Sequence, residues 1–343
     1  MMDFDFDFLL QVVVLCVKVG IVGMLLFGAP VILTWVERKV AGHMQVRLGP
    51  MRVGPHGLMQ ALADMIKMIF TEDIIPDRAD KWLFKIAPII MMVPIFAIFV
   101  AIPIGPAVTI PIVDYELTLW ISDMNVGVVY VLAISGIAIY GMIFGGWASN
   151  SKYALMGGMR AAAQMISYEV AMTFAAVGVV MMSGSMSLVS IVESQGGGFW
   201  NWNLFYLPVG PVWFFIFTIA GLAEMNRIPF DLPEDEGSLA AGYHVEYSGM
   251  RFAYFALGEY VSMVAIAALT VVFFLGGWDD PFRLGFLPPV LWFLGKTGFL
   301  IFAYMWIRFT LPRYRFDQLM TIGWKILIPI SLVNILVTGF MRI

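Results

Sequence analysis

Four ionisable residues lie inside or at the ends of long apolar segments, where charge is costly. They are Glu169, Glu224, Arg227 and Glu259. Ionisable groups at membrane depth usually mark an ion path, a water cavity or a ligand. Carboxylates on neighbouring helices would suit proton transfer through a membrane. The simpler interpretation of any one of them is a satisfied structural ion pair.

Spacing gives these residues a first arrangement. Glu224 and Arg227 are three residues apart, close enough to pair on a continuous helix. Glu169 shares a helix face with Thr173, one turn further on. Because basic partners within the apolar segments are too few to neutralise all the acids, ion pairing alone does not account for them.

The connection that follows Glu224 is the most charged stretch of the chain. Its ionisable residues within 23 positions are Glu224, Arg227, Asp231, Glu234, Asp235, Glu236 and Glu246. A solvated acidic loop is the usual explanation of such a run. However, apolar residues and prolines interrupt it, as in Ile228-Pro229-Phe230 and Leu232-Pro233. This pattern favours a partly buried acidic cavity.

A second polar stripe lies near the N-terminal third of the chain. Over residues 56–70, apolar side chains recur at helical spacing, and Gln60, Asp64 and Lys67 fall on the opposite face. The pattern predicts an amphipathic helix at a membrane interface. A surface anchor is the simplest function for such a helix.

Composition places these groups in a membrane protein. Apolar residues make up 61% of the chain and charged residues 13%, with a mean hydropathy of +0.87. A soluble domain has roughly half apolar and a quarter charged residues. The net charge of −4 argues against nucleic-acid binding.

The chain has few residues that could hold a redox centre. Its single cysteine, Cys16, excludes an intrachain disulfide or an iron–sulfur cage. The three histidines, His43, His56 and His244, lie in polar connections, so a transmembrane haem with histidine ligands is not expected. We predict neither a bound metal nor an electron carrier on this chain.

About 20 apolar residues are needed to cross the hydrocarbon core of a bilayer. The sequence therefore predicts an all-α integral membrane protein: a single polytopic domain over residues 1–343, with an amphipathic helix at the cytoplasmic interface. Its eight candidate spans lie near residues 9–35, 82–104, 126–147, 160–183, 209–226, 252–277, 286–309 and 324–341.

Basic residues fall mainly on one side of these spans. The connections near 36–85, 148–160, 224–251 and 308–325 hold 16 of the 20 lysines and arginines. The positive-inside rule places those connections in the cytoplasm and both termini outside. The acidic N-terminus lacks the pattern of a signal peptide, so the first apolar run is expected to be a retained span.

Long stretches of the sequence closely resemble the quinone-site membrane subunit of respiratory complex I, a family found in bacteria and in mitochondria. The matching stretches cover essentially the whole chain. Among them are Val36-Glu37-Arg38-Lys39, Gln45-Val46-Arg47-Leu48-Gly49-Pro50, Ala163-Gln164-Met165-Ile166-Ser167-Tyr168-Glu169, Ala223-Glu224-Met225-Asn226-Arg227-Ile228-Pro229-Phe230-Asp231-Leu232-Pro233-Glu234 and Pro312-Arg313-Tyr314-Arg315-Phe316-Asp317-Gln318-Leu319.

The resemblance implies that the cytoplasmic connections wall a tunnel through which quinone reaches a pocket in a neighbouring peripheral subunit. The implied tunnel residues are Glu37, Arg38, Arg47, Asp64, Lys67, Asp231, Glu234, Glu236 and Arg308. It also implies a charged path for protons that leads from the quinone cavity into the membrane. The implied path residues are Glu169, Glu224, Arg227 and Glu259.

The resemblance also implies partners and a location. Electrons would come from a terminal iron–sulfur subunit, and small membrane-arm subunits would adjoin the chain within the lipid bilayer. We expect a bacterial inner membrane, with the mitochondrial inner membrane as the alternative. Quinone would be the substrate of the complex, and this chain would carry no redox centre.

Two positions depart from the family pattern. Ser238 stands where the family commonly has glutamate, so the acidic cluster lacks one carboxylate. Phe316 replaces a tyrosine and so lacks its hydroxyl. Any mechanism that needs every carboxylate of the cluster is therefore in question.

Three other functions are compatible with parts of the pattern. A homologous membrane subunit of a membrane-bound hydrogenase would share the fold but serve proton reduction. A stand-alone cation/proton antiporter would explain the acids in the spans. A purely structural anchor would not explain them.

Overall fold

The chain folds almost entirely into helices. The computed structural model describes residues 6–110, 115–232, 242–283 and 285–342. The α-helices are α1 Phe6–Met44, α2 Gln60–Phe70, α3 Lys81–Ile98, α4 Gly127–Ala148, α5 Lys152–Ser183, α6 Leu188–Ser194, α7 Val209–Glu224, α8 Gly249–Phe274, α9 Pro289–Thr310, α10 Phe316–Thr321 and α11 Ile328–Arg342.

Shorter elements connect these helices. A π-helical turn, Ile322–Leu327, joins α10 to α11. Two antiparallel strands, β1 Val108–Ile110 and β2 Tyr115–Leu117, lie between α3 and α4, with Val108 opposite Leu117. Single 3-10 turns occur at Pro55–Gly57, Phe199–Asn201, Asn203–Phe205 and Gly242–His244.

Seven helices of the described chain are long and apolar enough to cross a membrane: α1, α3, α4, α5, α8, α9 and the joined α10–α11. Helix α7 is also apolar but has only 16 residues. These features confirm the predicted all-α membrane fold. In a bilayer a helix satisfies its own backbone groups, which is why so apolar a chain forms helices.

Some helix ends differ from the predicted span limits. Helix α3 stops at Ile98, because Phe99, Val100 and Ala101 donate backbone hydrogen bonds to the carbonyls three residues earlier. Such bonds tighten the last turn into a 3-10 form that ends the helix. Helix α7 stops at Glu224, two residues before the predicted limit.

Burial distinguishes central from peripheral helices. In the most apolar window of α8, 72% of residues are buried, whereas the corresponding share in α1 is 6%. Close contact between α3 and α4 depends on Gly141, where a Cβ would lie 2.5 Å from the Met91 backbone nitrogen. The lack of a side chain at Gly141 therefore sets the distance between these helices.

Helix α2 has the amphipathic pattern that the sequence predicts. Leu62, Ile66 and Ile69 are exposed along one face. On the other face, the Gln60 amide donates a 2.9 Å hydrogen bond to Asp64 Oδ1. The apolar face is open to lipid or a partner, while the polar face turns towards α1.

Lys296, the basic residue within α9, contacts the end of α8. Its Nζ donates hydrogen bonds to the carbonyl oxygens of Leu275, Gly277 and Asp279 at 2.7–3.0 Å. It also lies 4.3 Å from the centre of the Trp202 ring. A cation at a helix C-terminus satisfies carbonyls that have no partner within the helix. Lys296 therefore has a structural role.

Candidate functional site

The central feature of the site is a buried group of charges that we call the Glu37 cluster: Glu37, Arg227, Glu259, Tyr260 and Arg308. Glu37 on α1 accepts a hydrogen bond from Arg308 on α9 and lies 3.5 Å from Arg227. The Tyr260 hydroxyl on α8 donates to Glu37 Oε2 at 2.8 Å. Arg227 also lies 3.4 Å from Glu259 Oε2. Two acids and two arginines thus meet where three helices and the turn after α7 converge.

Arg227 is the link between the two acids. Its guanidinium lies 4.4 Å from the centre of the Tyr260 ring, a cation–π contact that strengthens on desolvation. Burial lowers the pKa of Arg227, but the charges of Glu259 and Glu37 outweigh it, so the pKa is raised. Arg227 therefore stays charged and is fixed between Glu37 and Glu259.

Glu224 and Arg227 are not paired as their spacing suggested. Arg227 turns to Glu37 and Glu259, while Glu224 Oε2 is buried with no hydrogen-bond partner among the described residues. The reason is local, because α7 ends at Glu224 and Asn226 adopts a positive φ of 51°. The i, i+3 geometry of a helix therefore does not apply across this segment.

Gln164 on α5 holds the turn that carries Arg227. Its side-chain amide donates to the backbone oxygens of Ala223 at 2.8 Å and Phe230 at 2.7 Å. The Asn226 Oδ1 atom lies 3.2 Å from the same nitrogen. One buried amide thus fixes both ends of the turn and the direction of Arg227.

Asp231 follows this turn and pairs with Arg313. The Arg313 Nη2 atom lies 3.0 Å from Asp231 Oδ2, and Asp231 is 7% exposed. Burial raises the pKa of Asp231 to about 6, although the charge of Arg313 opposes the shift. Asp231 can therefore exchange a proton near neutral pH.

Arg38 and Asp64 form the second ion pair on the α1 side, between α1 and α2, at 2.6 Å. Burial raises the pKa of Asp64, but hydrogen bonds from Arg38 and Gln60 and the charges of Arg38 and Lys67 outweigh it. The carboxylate is therefore held ionised. The Arg38 side chain remains 50% exposed, so part of its guanidinium is available to a ligand.

The remaining predicted tunnel residues are not part of the Glu37 cluster. Arg47 lies in the exposed turn after α1, where its Nε donates to Gln45 at 2.7 Å. Glu234 and Glu236, together with Ser238, lie in residues 233–241, outside the part of the chain that the structure describes. Phe316 begins α10 and packs against the core.

Two separate spaces adjoin the predicted proton-path acids. The interior cavity has a volume of about 40 Å³, and its polar lining consists of Ser135, Glu224, Asn226, Glu259 and Ser262. Since a water molecule needs roughly 10–15 Å³ of such volume, the cavity has room for water beside the unpartnered Glu224 Oε2.

Glu169 faces a different space, which we call the lateral groove. This groove of about 580 Å³ between α4 and α5 includes Glu169 and Thr173 among mainly apolar side chains. The position that a Cβ would take on Gly136 lies 2.8 Å from Glu169 Oε1. Glu169 therefore packs against α4 and does not share the interior cavity with Glu224 and Glu259.

Several members of the site carried little signal in the sequence. Gln164 and Tyr260 were recognisable as polar residues within spans, but their partners are far away in the chain. Arg313 was noted only as part of a basic connection, yet it pairs with Asp231 across 82 positions. Among the described residues, no group of three His, Cys, Asp or Glu side chains is arranged to hold a metal ion.

The fold and the site define a polytopic, all-helical membrane protein with buried ion pairs and a small polar cavity. The sequence model of the NADH dehydrogenase family matches residues 17–339. The chain belongs to this family.

Relatives with assigned names match over most of both chains, and each is named as an H-type chain of NADH-quinone oxidoreductase. The relative from Rhizobium meliloti, numbered 2, is 55% identical over 95% of this chain and 96% of its own. Its namesake from Rhizobium etli is 54% identical over 94% and 92%. The relative from Geobacter sulfurreducens, numbered 1, is 51% identical over 89% and 88%.

Proposed function

We propose that this chain is the membrane subunit of a proton-translocating NADH:quinone oxidoreductase, respiratory complex I, in which it forms the quinone tunnel and begins the charged path for protons. The observation that carries the proposal is the Glu37 cluster, a buried charge network in a membrane helix bundle. The names of the relatives favour this enzyme over a hydrogenase component or a stand-alone antiporter.

The quinone tunnel would run along the side of the molecule where α1, α2 and the turn after α7 meet. A quinone has two carbonyl oxygens that accept hydrogen bonds, and its ring and tail are apolar. The half-exposed Arg38 and Arg313 offer donors, and the exposed apolar residues of α2 adjoin the lipid. Glu37, Arg308, Asp64, Lys67 and Arg47 would act with them as tunnel residues, together with Asp231, Glu234 and Glu236.

The proposed coupling is electrostatic. Reduction of quinone creates a demand for protons, which would change the charge held at Asp231, Glu234 and Glu236. Interactions between charges in a buried site are weakly screened, so this change would be felt at the Glu37 cluster and at Glu224. Arg227 provides the connection, because it contacts Glu37 on one side and Glu259, a residue of the interior cavity, on the other.

The proposal includes partners and a membrane. The partners are a peripheral quinone-site subunit, a terminal iron–sulfur subunit and small membrane-arm subunits. The membrane is the bacterial inner membrane, with both termini on the outer side. The one-sided distribution of basic residues supports this orientation.

Purification of an affinity-tagged form from its own membrane tests the assignment. We expect the chain to copurify with many subunits, in a complex that oxidises NADH and reduces a water-soluble quinone. An antiporter would instead be obtained alone and would exchange cations for protons in liposomes. Isolation of the chain alone with that exchange activity would contradict the proposal.

A further inference from the structure

A single side chain lies between the two spaces that adjoin the proton-path acids. Leu132 on α4 is the one residue, among those the structure describes, that lines both the interior cavity and the lateral groove. On its interior side are Glu224 and Glu259, and on its groove side is Glu169. An apolar side chain thus stands where two spaces with acidic residues come closest.

The neighbours of Leu132 show how α4 divides the two spaces. Val131 lines only the interior cavity and is 3% exposed, whereas Val129 lines only the lateral groove and is 52% exposed. One turn further along the helix, Ser135 lines the interior cavity and Gly136 contacts Glu169. Leu132 therefore lies at the boundary between the inward and outward faces of the helix.

We propose that Leu132 is a hydrophobic gate between the interior cavity and the lateral groove. Narrow apolar constrictions stop the passage of water and ions by dewetting. In one rotamer, Leu132 keeps the waters of the two spaces apart. In another, it allows a continuous chain of water between them.

The step that the gate controls is a proton transfer, and this inference rests on the proposed function. A proton leaves the carboxylic acid of Glu224 or Glu259, passes along water and joins the carboxylate of Glu169. The donor becomes a carboxylate and the acceptor becomes neutral, so charge balances and no electrons move. The charges of Glu169 and Glu224 already interact across the boundary, so loading one affects the other.

The gate can be tested in the assembled complex reconstituted into proteoliposomes, by measuring the number of protons translocated per electron. Leu132→Ala should lower this ratio by roughly half or more, because water would then connect the two spaces at all times. The same variant should raise the passive proton permeability of the vesicles without NADH. Because the ratio refers to turning-over enzyme, a simple loss of assembled complex does not change it.

Matched variants separate gating from packing. Leu132→Met retains the apolar volume and should keep the ratio of the unsubstituted complex. Val129→Ala removes a similar apolar group from the groove side alone and should also keep it. An unchanged ratio in Leu132→Ala would overturn the gate, as would an equal loss in Val129→Ala.

The path and the gate fail in distinguishable ways. If Glu224→Gln and Glu169→Gln lower the ratio and Leu132→Ala does not, the proposed path stands and the gate is wrong. If none of the three variants changes the ratio, the proton path of the proposed function is wrong as well.

Discussion

At the scale of residues, the site depends on who pairs with whom. Glu37 serves two arginines and a tyrosine, and Arg227 serves two carboxylates and an aromatic ring. Removing one partner of a buried ion pair is costly, because it leaves an uncompensated charge. Most of the cluster should therefore act as a unit, with the largest effects from its shared members.

Glu37→Gln and Tyr260→Phe should differ in severity. The first removes the charge that faces Arg227 and Arg308, and breaking a buried pair costs about 3–5 kcal/mol. The second removes one hydrogen bond but keeps the ring beside Arg227, at a cost of about 0.5–1.5 kcal/mol. Thermal inactivation of the purified complex should show the larger drop in midpoint for Glu37→Gln. Equal midpoints for the two variants would contradict a shared role for Glu37.

Asp231 should give the site a pH dependence. Because burial raises its pKa in the folded protein from 3.8 to about 6, the folded state holds a proton that the unfolded chain releases. Its contribution to stability is therefore present at low pH and is lost as pH rises through about 6. Infrared difference spectra should show a carboxylic-acid band that titrates near pH 6 and is absent in Asp231→Asn. A band that persists in that variant would assign the proton to another group.

At the scale of elements, helix ends decide what the charged residues do. The end of α7 at Glu224 releases the chain into a turn that Gln164 fixes from α5. The end of α8 is held by Lys296 from α9. Charged or polar residues in the spans thus have two different roles, one at the site and one in fixing helix ends.

Lys296→Met should weaken the α8–α9 contact. The change removes three hydrogen bonds to backbone carbonyls, and carbonyls left buried without partners are costly. We expect less assembled complex in membranes and a lower inactivation temperature for what remains. Lys325→Met provides the control, since Lys325 is exposed. A full yield of stable complex with Lys296→Met would show that the carbonyls find other partners.

At the scale of the whole molecule, the charge network lies among buried helices and the periphery is left to lipid. Helix α8 contributes Glu259 and Tyr260 from the most buried window of the seven long helices, whereas α1 brings Glu37 to the same point from the edge. The cluster thus joins central and peripheral helices. Movement of α1 or α2 around a bound quinone would reach the interior cavity through Arg227.

How much of this could be predicted from the sequence differs by scale. Hydropathy and helical periodicity identified the membrane helices and the polar stripe of α2, because both signals are local. The Glu37 cluster could not be predicted from spacing, because its partners are 223 and 271 positions apart in sequence. The local rule misassigned Arg227 to Glu224 because it assumed that α7 continues, whereas Asn226 breaks the helix.

The central claim is that Glu224 carries protons on the path from the quinone site. Its most direct test is the number of protons translocated per electron by the reconstituted complex with Glu224→Gln. Glu193→Gln on the exposed side of α6 is the matched control. The account predicts that the complex assembles with Glu224→Gln but loses coupled proton translocation, while Glu193→Gln pumps normally. Normal translocation with Glu224→Gln would contradict it.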